Sequence, residues 1–282
     1  MSAIAKSMSN NVLDELQIPP QPEILLNINN ELENEYPNIN KISDEIVSDA
    51  GLFSSILKLI NSPYFGMRVE IKSIEHAVSL IGLDNLSTHI ASILFRSKMK
   101  EGGFIPMPRY WDTSLDMARL CGYLAKELNV VKQNEAYSLG LFQDCGIPLL
   151  AQKYSDYKSV LSRQNSIESD SYTCIEDETY QTNHCVIGFY LGKAWGLNKH
   201  IRNACLHHHD IEYMTGESKH INIESKKLIL MSKMAENVLN LKRKSGDKEW
   251  EKIGNYIIDY FGLSEHDYYE LSEEMLDYLD GI

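Results

Sequence analysis

The sequence lacks several features that would place it in a specialised class of protein. Its five cysteines are scattered without a CxxC pair, and their odd number favours reduced thiols over a disulfide scaffold or a zinc ribbon. No apolar run reaches the length of a membrane span, and the first residues lack the basic and apolar regions of a secretory signal. We therefore expect a cytoplasmic protein.

Positive charge is also scarce in this chain. The 282 residues include 27 Lys and Arg against 40 Asp and Glu, which gives a formal net charge of −13. Because nucleic acids and anionic membranes attract cationic surfaces, this balance argues against both as partners. Hydrophobic residues make up 43% and charged residues 24%, which is typical of a globular protein and excludes a disordered chain.

Apolar residues rarely alternate along the chain, whereas spacings of three and four are frequent, so the pattern predicts an almost entirely α-helical protein. The predicted helices cover residues 23–35, 39–50, 52–60, 74–81, 85–97, 111–128, 134–151, 155–163, 175–195, 199–209, 225–241, 249–261 and 264–279. Gly51 is expected to end the second of these helices and Asp84 to cap the fifth.

Glycine and proline pairs near residues 101–109 interrupt the helical pattern and mark a boundary. We predict a lead-in at 1–17, an N-terminal helical subdomain at 18–105, and a second helical subdomain with C-terminal helices at 106–282.

One polar pair, Gln143-Asp144, lies within the otherwise apolar stretch 138–150. Burying a carboxylate is costly unless a partner compensates its charge. Asp144 is therefore either a metal ligand or catalytic carboxylate, or part of a hydrogen-bonded cluster that orders the surrounding helices. The candidate partners are His184 and the run from His207 to Asp210.

The histidines lack the spacing of a zinc site carried by a single helix. His207, His208 and His209 are consecutive, so no two of them lie four residues apart on one helical face. A metal site would have to be assembled from several helices, for example from Asp144, His184 and His208. The alternative is that these histidines are ordinary core or surface residues.

Several short motifs occur in a recognisable order. They are Ile18-Pro19-Pro20-Gln21-Pro22, Asn61-Ser62-Pro63-Tyr64-Phe65-Gly66, the stretch 73–82, Trp111-Asp112-Thr113-Ser114, the stretch 140–146, Trp195 and His208-His209. In this order, over roughly residues 17–240, the chain resembles the HDOD domain of bacterial signalling proteins. The resemblance implies an all-α, HD-domain-like helical bundle with an N-terminal helical subdomain.

The resemblance also implies a degenerate catalytic site, because the family is related to the HD phosphohydrolases. Those enzymes hold a metal with a His, a His-Asp pair and a later Asp, which fall here near Thr113, on Gln143-Asp144 and near Ser232. Hydroxyl and amide groups replace imidazole or carboxylate poorly, so only Asp144 keeps its type. Without a metal there is no activated water, and we expect no catalytic residue, no bound metal and no cofactor.

The function that the resemblance implies is a non-catalytic signal-transduction module acting through protein–protein contacts, with a sensor kinase or a second-messenger enzyme as partner. Asp144 would then form a polar or ligand-binding cluster with His184, His208 and His209. The alternative is a metal-dependent phosphohydrolase that uses the same four residues in a rearranged site. The oligomeric state and any small ligand in an interhelical cleft do not follow from the sequence.

Overall fold

The computed structural model of this protein describes residues 18–62, 65–99, 105–166 and 171–281. These residues form helices joined by turns, and no strand occurs among them. The all-α prediction is therefore confirmed. The lead-in at 1–17, the Pro63-Tyr64 pair of one motif and the Gly102-Gly103 pair lie outside the described residues.

The chain divides into two compact units. The N-terminal unit comprises Pro19–Lys100 together with the short segment Ala194–Leu197. The second, which we call the histidine unit, contains the described residues of 105–193 and 198–281.

Five helices build the N-terminal unit around an apolar core. They are α1 (Glu23–Leu32), α2 (Ile39–Ser48), α3 (Ala50–Ile60), α4 (Ile74–Ile81) and α5 (Leu83–Lys98). Residues spaced three or four apart, such as Leu25 with Ile28 and Ile42 with Ile46, are fully buried. Trp195 contacts Phe95 edge-on at 5.7 Å and donates its indole N–H to the Pro19 carbonyl oxygen at 2.7 Å. These contacts explain why the segment around Trp195 belongs to this unit.

Two predictions about the ends of these helices are wrong. Helix α2 ends at Ser48, before Gly51, because Asp49 leaves the helical conformation and caps α3 by accepting a hydrogen bond from the Leu52 amide at 2.9 Å. Asp84 lies inside the first turn of α5, whose N-cap is Gly82. Gly82 has a φ of 82°, a left-handed value that glycine adopts without a steric penalty.

Eleven helices occur in the described part of the histidine unit. They are α6 (Met107–Leu128), α7 (Gln133–Phe142), α8 (Gly146–Lys153), α9 (Tyr157–Ser166), α10 (Cys174–Tyr180), α11 (His184–Ala194), α12 (Lys199–His207), α13 (Ile211–Thr215), α14 (Ile223–Lys242), α15 (Lys248–Tyr260) and α16 (Glu265–Asp280). Helix α6 packs along α7, and α14 lies against α6, α7 and α12. The largely buried α14 is therefore a central element of this unit.

Two helices that the sequence predicts as continuous are broken in the structure. The predicted helix 134–151 divides into α7 and α8, which leaves Gln143, Asp144 and Cys145 at the junction. The predicted helix 175–195 divides into α10 and α11, and Gln181 ends α10 with a left-handed φ of 55°. Apolar residues flank the first break on both sides, so the helical periodicity continues across it and only tertiary packing distinguishes one helix from two, whereas the second break lies in the polar stretch 176–184.

Glycine permits a close approach between the two broken segments. A Cβ atom built on Gly146 would lie 2.1 Å from the carbonyl oxygen of His184, so any side chain there would collide with the backbone. The absence of a side chain lets the first turn of α8 touch the first residue of α11. This contact brings Asp144 and His184 into the same region.

No single helix in the described ranges is both long and apolar enough to cross a membrane. Helices α4 and α5 pass that test of length and composition only as a pair, and they are bent by 114° at their junction.

Candidate metal centre

Four side chains from three separate places in the histidine unit converge on one point. Asp144 lies between α7 and α8, His184 begins α11, and His208 and His209 follow the C-terminus of α12. Each offers one ligand atom, and the four atoms all lie within 4.8 Å of one another. Ligands bonded to one transition-metal ion at about 2.0–2.2 Å lie roughly 3–4.4 Å apart. The limit of 4.8 Å exceeds this range by about 0.4 Å, so a small inward movement of the side chains would bring all four onto a single ion.

The orientation of the three imidazole rings is fixed through their Nδ1 atoms. Each Nδ1 lies within hydrogen-bonding distance of an oxygen: His184 at 2.6 Å from Glu176 Oε2, His208 at 2.8 Å from the Cys205 carbonyl, and His209 at 3.0 Å from Glu249 Oε2. Carboxylate and carbonyl oxygens only accept, so each Nδ1 carries a proton, and each Nε2 has a free lone pair when the imidazole is neutral. Metal-binding histidines show this same arrangement.

Two of these Nε2 atoms face the carboxylate of Asp144. Oδ1 of Asp144 is 3.4 Å from Nε2 of His208 and 3.7 Å from Nε2 of His184. Both distances exceed the usual range of an N–H···O hydrogen bond. They lie close to the value of about 3.3 Å expected for nitrogen and oxygen ligands of one tetrahedral ion.

In the metal-free protein, protons must supply the positive charge that the carboxylate requires. Burial raises the pKa of Asp144, but His208 and His184 outweigh burial and hold this pKa far below its ordinary value. Burial lowers the pKa of His208, whereas Cys185 and Asp144 raise it to about 10. Burial opposes protonation of His184 as well, but Cys185 and Glu176 raise its pKa well above the ordinary value. Without a metal, His184 and His208 would thus hold protons at the place where a cation would bind.

His209 behaves differently from the other two histidines. Burial and then the neighbouring ammonium group of Lys233 hold the pKa of His209 well below its ordinary value, so its imidazole is neutral. Lys233 is itself buried, with Nζ 2.7 Å from Glu249 and 2.8 Å from Glu236. A neutral imidazole with its Nδ1 on Glu249 is ready to bind a metal without losing a proton.

Two buried oxygen atoms beside the cluster have no hydrogen-bond donor among the described residues, Oε1 of Gln143 and Oε1 of Glu249. Gln143 donates from Nε2 to Asp144 at 3.4 Å, and Glu249 accepts from His209 through its other oxygen. Buried acceptors are normally satisfied. A water molecule bound to an ion at the cluster could donate to the Gln143 oxygen, whereas Glu249 lies on the Nδ1 side of His209.

Two of the four predicted HD-site positions lie outside this group. The hydroxyl of Thr113 donates to the Arg109 carbonyl at 2.8 Å and accepts from Arg243 at 2.6 Å. Ser232 is fully buried in α14 and donates to the Ile229 carbonyl at 2.9 Å. Both hydroxyls are therefore used in local contacts, and Gln143 reaches the cluster only through its amide.

Of the histidine run, the structure brings His208 and His209 into the cluster but not His207. The ring of His207 stacks on Tyr213 at 4.1 Å, and its Nδ1 lies 3.0 Å from Asp210. Sequence reasoning missed Glu176, Glu249, Lys233 and Cys185, which surround the cluster. Cys185 could have been found from its position next to His184, whereas Glu249 carries no sequence signal because it lies 40 residues from its partner.

Comparison with known proteins identifies the family of this chain. The model of the HDOD domain family matches residues 18–211. An uncharacterised protein of Treponema pallidum (strain Nichols) is 23% identical over 265 residues, which cover 92% of this chain but 48% of that protein. The uncharacterised protein YuxH of Bacillus subtilis (strain 168) is 27% identical over 169 residues, covering 52% of this chain and 41% of YuxH. The chain thus spans less than half the length of these curated relatives.

Solved structures show the same fold. An HDOD domain protein of unknown function from Geobacter sulfurreducens aligns with a TM-score of 0.70 at 22% identity, covering 99% of this chain and 94% of that one. A protein from Shewanella amazonensis SB2B, provisionally described as a phosphohydrolase, aligns with a TM-score of 0.70 at 20% identity, covering 95% and 94% of the two chains. At these identities the likeness concerns the fold alone.

Proposed function

The chain belongs to the HDOD domain family, and from that premise we propose that it is a regulatory module whose histidine unit is organised by one divalent transition-metal ion. The observation that carries this proposal is the convergence of three imidazole rings on Asp144, each with its Nδ1 already used. The three Nε2 lone pairs and a carboxylate repel one another unless a cation lies among them. This is the rearranged Asp/His site that the sequence left open as an alternative.

The donor set defines the kind of ion. Imidazole nitrogen suits zinc, iron, nickel and copper, and one carboxylate is compatible with each of them. When bound, the ion would supply a positive charge that links three helix ends and adds its binding free energy to folding. Asp144, His184, His208 and His209 would hold it, while Glu176 and Glu249 orient two of the rings.

The composition of the site favours a structural or sensory role over catalysis. Structural zinc sites have four protein ligands, whereas catalytic sites keep a position open for water or substrate. Here four protein donors already suffice for a tetrahedral ion, and the side chains of His184 and His208 are only 4% and 1% exposed. The hydroxyls of Thr113 and Ser232, at positions where the related hydrolases supply ligands, are used elsewhere.

The regulatory role would be exerted through protein–protein contacts, with a sensor kinase or a second-messenger enzyme as the expected kind of partner. The support is the family itself and the greater length of the curated relatives, which leaves room for further domains in those proteins. Neither nucleic acid nor an anionic membrane is proposed as a partner, because the net charge is −13.

Metal analysis of untagged protein tests the proposal. We expect about one equivalent of a transition metal per chain in the wild type, and a loss of most of it in Asp144→Ala and His208→Ala. The matched control is His266→Ala, since this histidine is 77% exposed on α16 and lies outside the cluster. Protein that neither retains nor takes up zinc, iron or nickel in equilibrium dialysis would overturn the proposal.

A second candidate, a metal-dependent phosphohydrolase, is favoured by one observation. The unsatisfied oxygen of Gln143 could accept a hydrogen bond from a metal-bound water and orient it, while Glu249 orients the ring of His209. Turnover of phosphomonoesters and phosphodiesters by zinc-, iron- and manganese-loaded protein separates the two functions. We expect no turnover above background, and activity that Glu249→Gln abolishes would favour the enzyme.

A further inference from the structure

We propose that Cys185 is an additional ligand of this centre and that its sulfur selects zinc or ferrous iron over magnesium and manganese. The inference rests on the proposed function, because it requires that the cluster binds an ion. It names a donor and a class of metal that the four-residue cluster alone does not specify.

Cys185 is placed beside the lone pairs of two cluster histidines. It follows His184 in the first turn of α11 and is 3% exposed. Its Sγ lies 3.5 Å from Nε2 of His184 and 3.9 Å from Nε2 of His208. These are the same two nitrogens that face Asp144. A carboxylate oxygen and a sulfur therefore both lie near the same two nitrogens, although the sulfur is not one of the four donor atoms that all lie within 4.8 Å of one another.

The distances agree with shared coordination. Cys185 would be a fifth donor, and with bonds of about 2.3 Å to sulfur and about 2.0–2.1 Å to nitrogen a five-coordinate zinc ion places neighbouring sulfur and nitrogen ligands about 3.1–3.8 Å apart. The two observed S···N separations are 3.5 and 3.9 Å. A shift of a few tenths of an ångström would bring both nitrogens and the sulfur onto one ion.

The other buried thiols near the site have a different use. Cys145 donates to the Gly188 carbonyl at 3.8 Å, and Cys205 donates to the Phe142 carbonyl at 3.5 Å. Both contacts are those of a protonated thiol that behaves as a small hydrophobic group. Cys185 instead faces the ring nitrogens Nε2 of His184 and His208. Of these three thiols, only Cys185 has the surroundings of a ligand.

The charge and the softness of the donors indicate the class of metal. The ligands Asp144 and a Cys185 thiolate would carry two negative charges, and the buried carboxylates of Glu176 and Glu249 lie against the rings of His184 and His209. A buried charge is tolerated only when it is compensated. Thiolate is a soft ligand that suits zinc, iron(II) and cobalt, whereas magnesium and manganese prefer oxygen. The sulfur would thus favour borderline metals and exclude hard ones.

Cobalt substitution provides the decisive experiment, because Co²⁺ reports its ligands spectroscopically. Untagged, metal-free full-length protein is titrated with Co²⁺ under anaerobic conditions, and its absorption spectrum is recorded. We expect weak visible d–d bands together with an intense near-ultraviolet thiolate-to-cobalt charge-transfer band. In Cys185→Ser and Cys185→Ala the visible bands should remain and the charge-transfer band should disappear.

Metal competition gives a second readout. We expect zinc affinity to fall by about 10-fold or more in Cys185→Ser, while manganese affinity changes far less. Cys121→Ser is the matched control, since Cys121 is a buried thiol of α6 outside the cluster, and it should keep both the band and the affinity.

The outcomes separate this inference from the proposed function. Visible cobalt bands without a charge-transfer band in the wild type would overturn the role of Cys185 and leave the metal centre standing. A charge-transfer band that persists in Cys185→Ala would assign the sulfur to another cysteine and also overturn the inference. Absence of any cobalt, zinc or iron binding would overturn both proposals. If a Cys185 variant fails to fold, the absence of a charge-transfer band in the wild type would still overturn the inference.

Discussion

At the scale of single residues, the chemistry of this protein is concentrated around Asp144. The sequence identifies it as a carboxylate in an apolar stretch that requires a partner, and the structure places His184 and His208 within 3.7 Å of its Oδ1. The expectation that Asp144 lacks metal-binding companions considered only the positions used by the related hydrolases. The imidazoles that surround it come from other positions in the chain.

Replacing Asp144 by Asn should weaken both metal binding and folding. Metal affinity is expected to fall by at least about 10-fold. The metal-free protein should lose about 3 kcal/mol of unfolding free energy, because the charge on His208 would be buried without compensation. Urea unfolding followed by circular dichroism, with and without chelator, measures both effects.

The control for this variant is Asp210→Asn. Asp210 also faces a histidine, His207, but it caps α13 by accepting from the Tyr213 amide, a role that Asn performs equally well. It should change stability little. Wild-type stability in Asp144→Asn would contradict the role of this carboxylate in ordering the helices.

A second residue, His89 in α5, should make the N-terminal unit sensitive to acid. Burial lowers the pKa of His89 to about 4, whereas an unfolded chain has a value near 6.5. The unfolded state therefore binds a proton between these pH values that the folded state does not. The contribution of neutral His89 to the free energy of unfolding is complete above pH 6.5. It is lost as the pH falls toward 4, by up to about 3 kcal/mol.

Equilibrium unfolding measured from pH 7 to pH 4 checks this sign. His89→Gln should flatten the pH dependence, and His76→Gln, at an exposed position of α4, should leave it unchanged. An equal slope in all three proteins would show that His89 does not remain neutral in the folded unit.

At the scale of secondary structure, the breaks between helices determine where the site lies. The breaks at Gln143–Cys145 and before His184 interrupt two segments that read as continuous helices. If both segments were continuous helices, Asp144 and His184 would each lie within the middle of a helix, and the side chains around them would keep the two backbones apart. The broken helices instead bring two helix ends together, where the backbone approaches most closely at Gly146.

Gly146→Ala should therefore damage the site without touching a ligand. The new Cβ would lie 2.1 Å from the His184 carbonyl oxygen, so α8 and α11 would have to separate. We expect a loss of about 1–3 kcal/mol of unfolding free energy, together with weaker zinc binding. Thermal unfolding and zinc titration measure the two effects, and Gly246→Ala, which has no atom within 4 Å of the added Cβ, should have neither.

At the scale of the whole molecule, the chain is two helical units with the candidate metal centre contained in one of them. The cluster joins the α7–α8 junction, the start of α11 and the end of α12, which are distant in sequence. An ion bound at the cluster would stabilise all of these segments, because opening any of them would break a bond to the ion. The effect of a bound ion should therefore be localised within the histidine unit.

Hydrogen exchange followed by mass spectrometry checks this localisation. Removing the metal should increase amide exchange in α8, α11 and α12, because opening these segments no longer costs the binding free energy. At zinc concentrations about 100 times the dissociation constant, the expected stabilisation is about 2.7 kcal/mol. Helices α1–α5 serve as the internal control and should exchange at the same rate in both states. Uniform acceleration across the chain would contradict a local role.

The sequence by itself determined the all-α class, most helices and the family, because these depend on local periodicity and on an ordered set of short motifs. It also singled out Asp144, because a carboxylate in an apolar stretch is visible without coordinates, and it named the three histidines as candidate partners. Only the tertiary structure decided that the four side chains meet, which rings have their Nδ1 atoms bound, and that Cys185, Glu176 and Glu249 surround them. The physical reason is range: a helix is specified by neighbours three and four residues apart, whereas this centre depends on packing and desolvation between residues tens of positions apart.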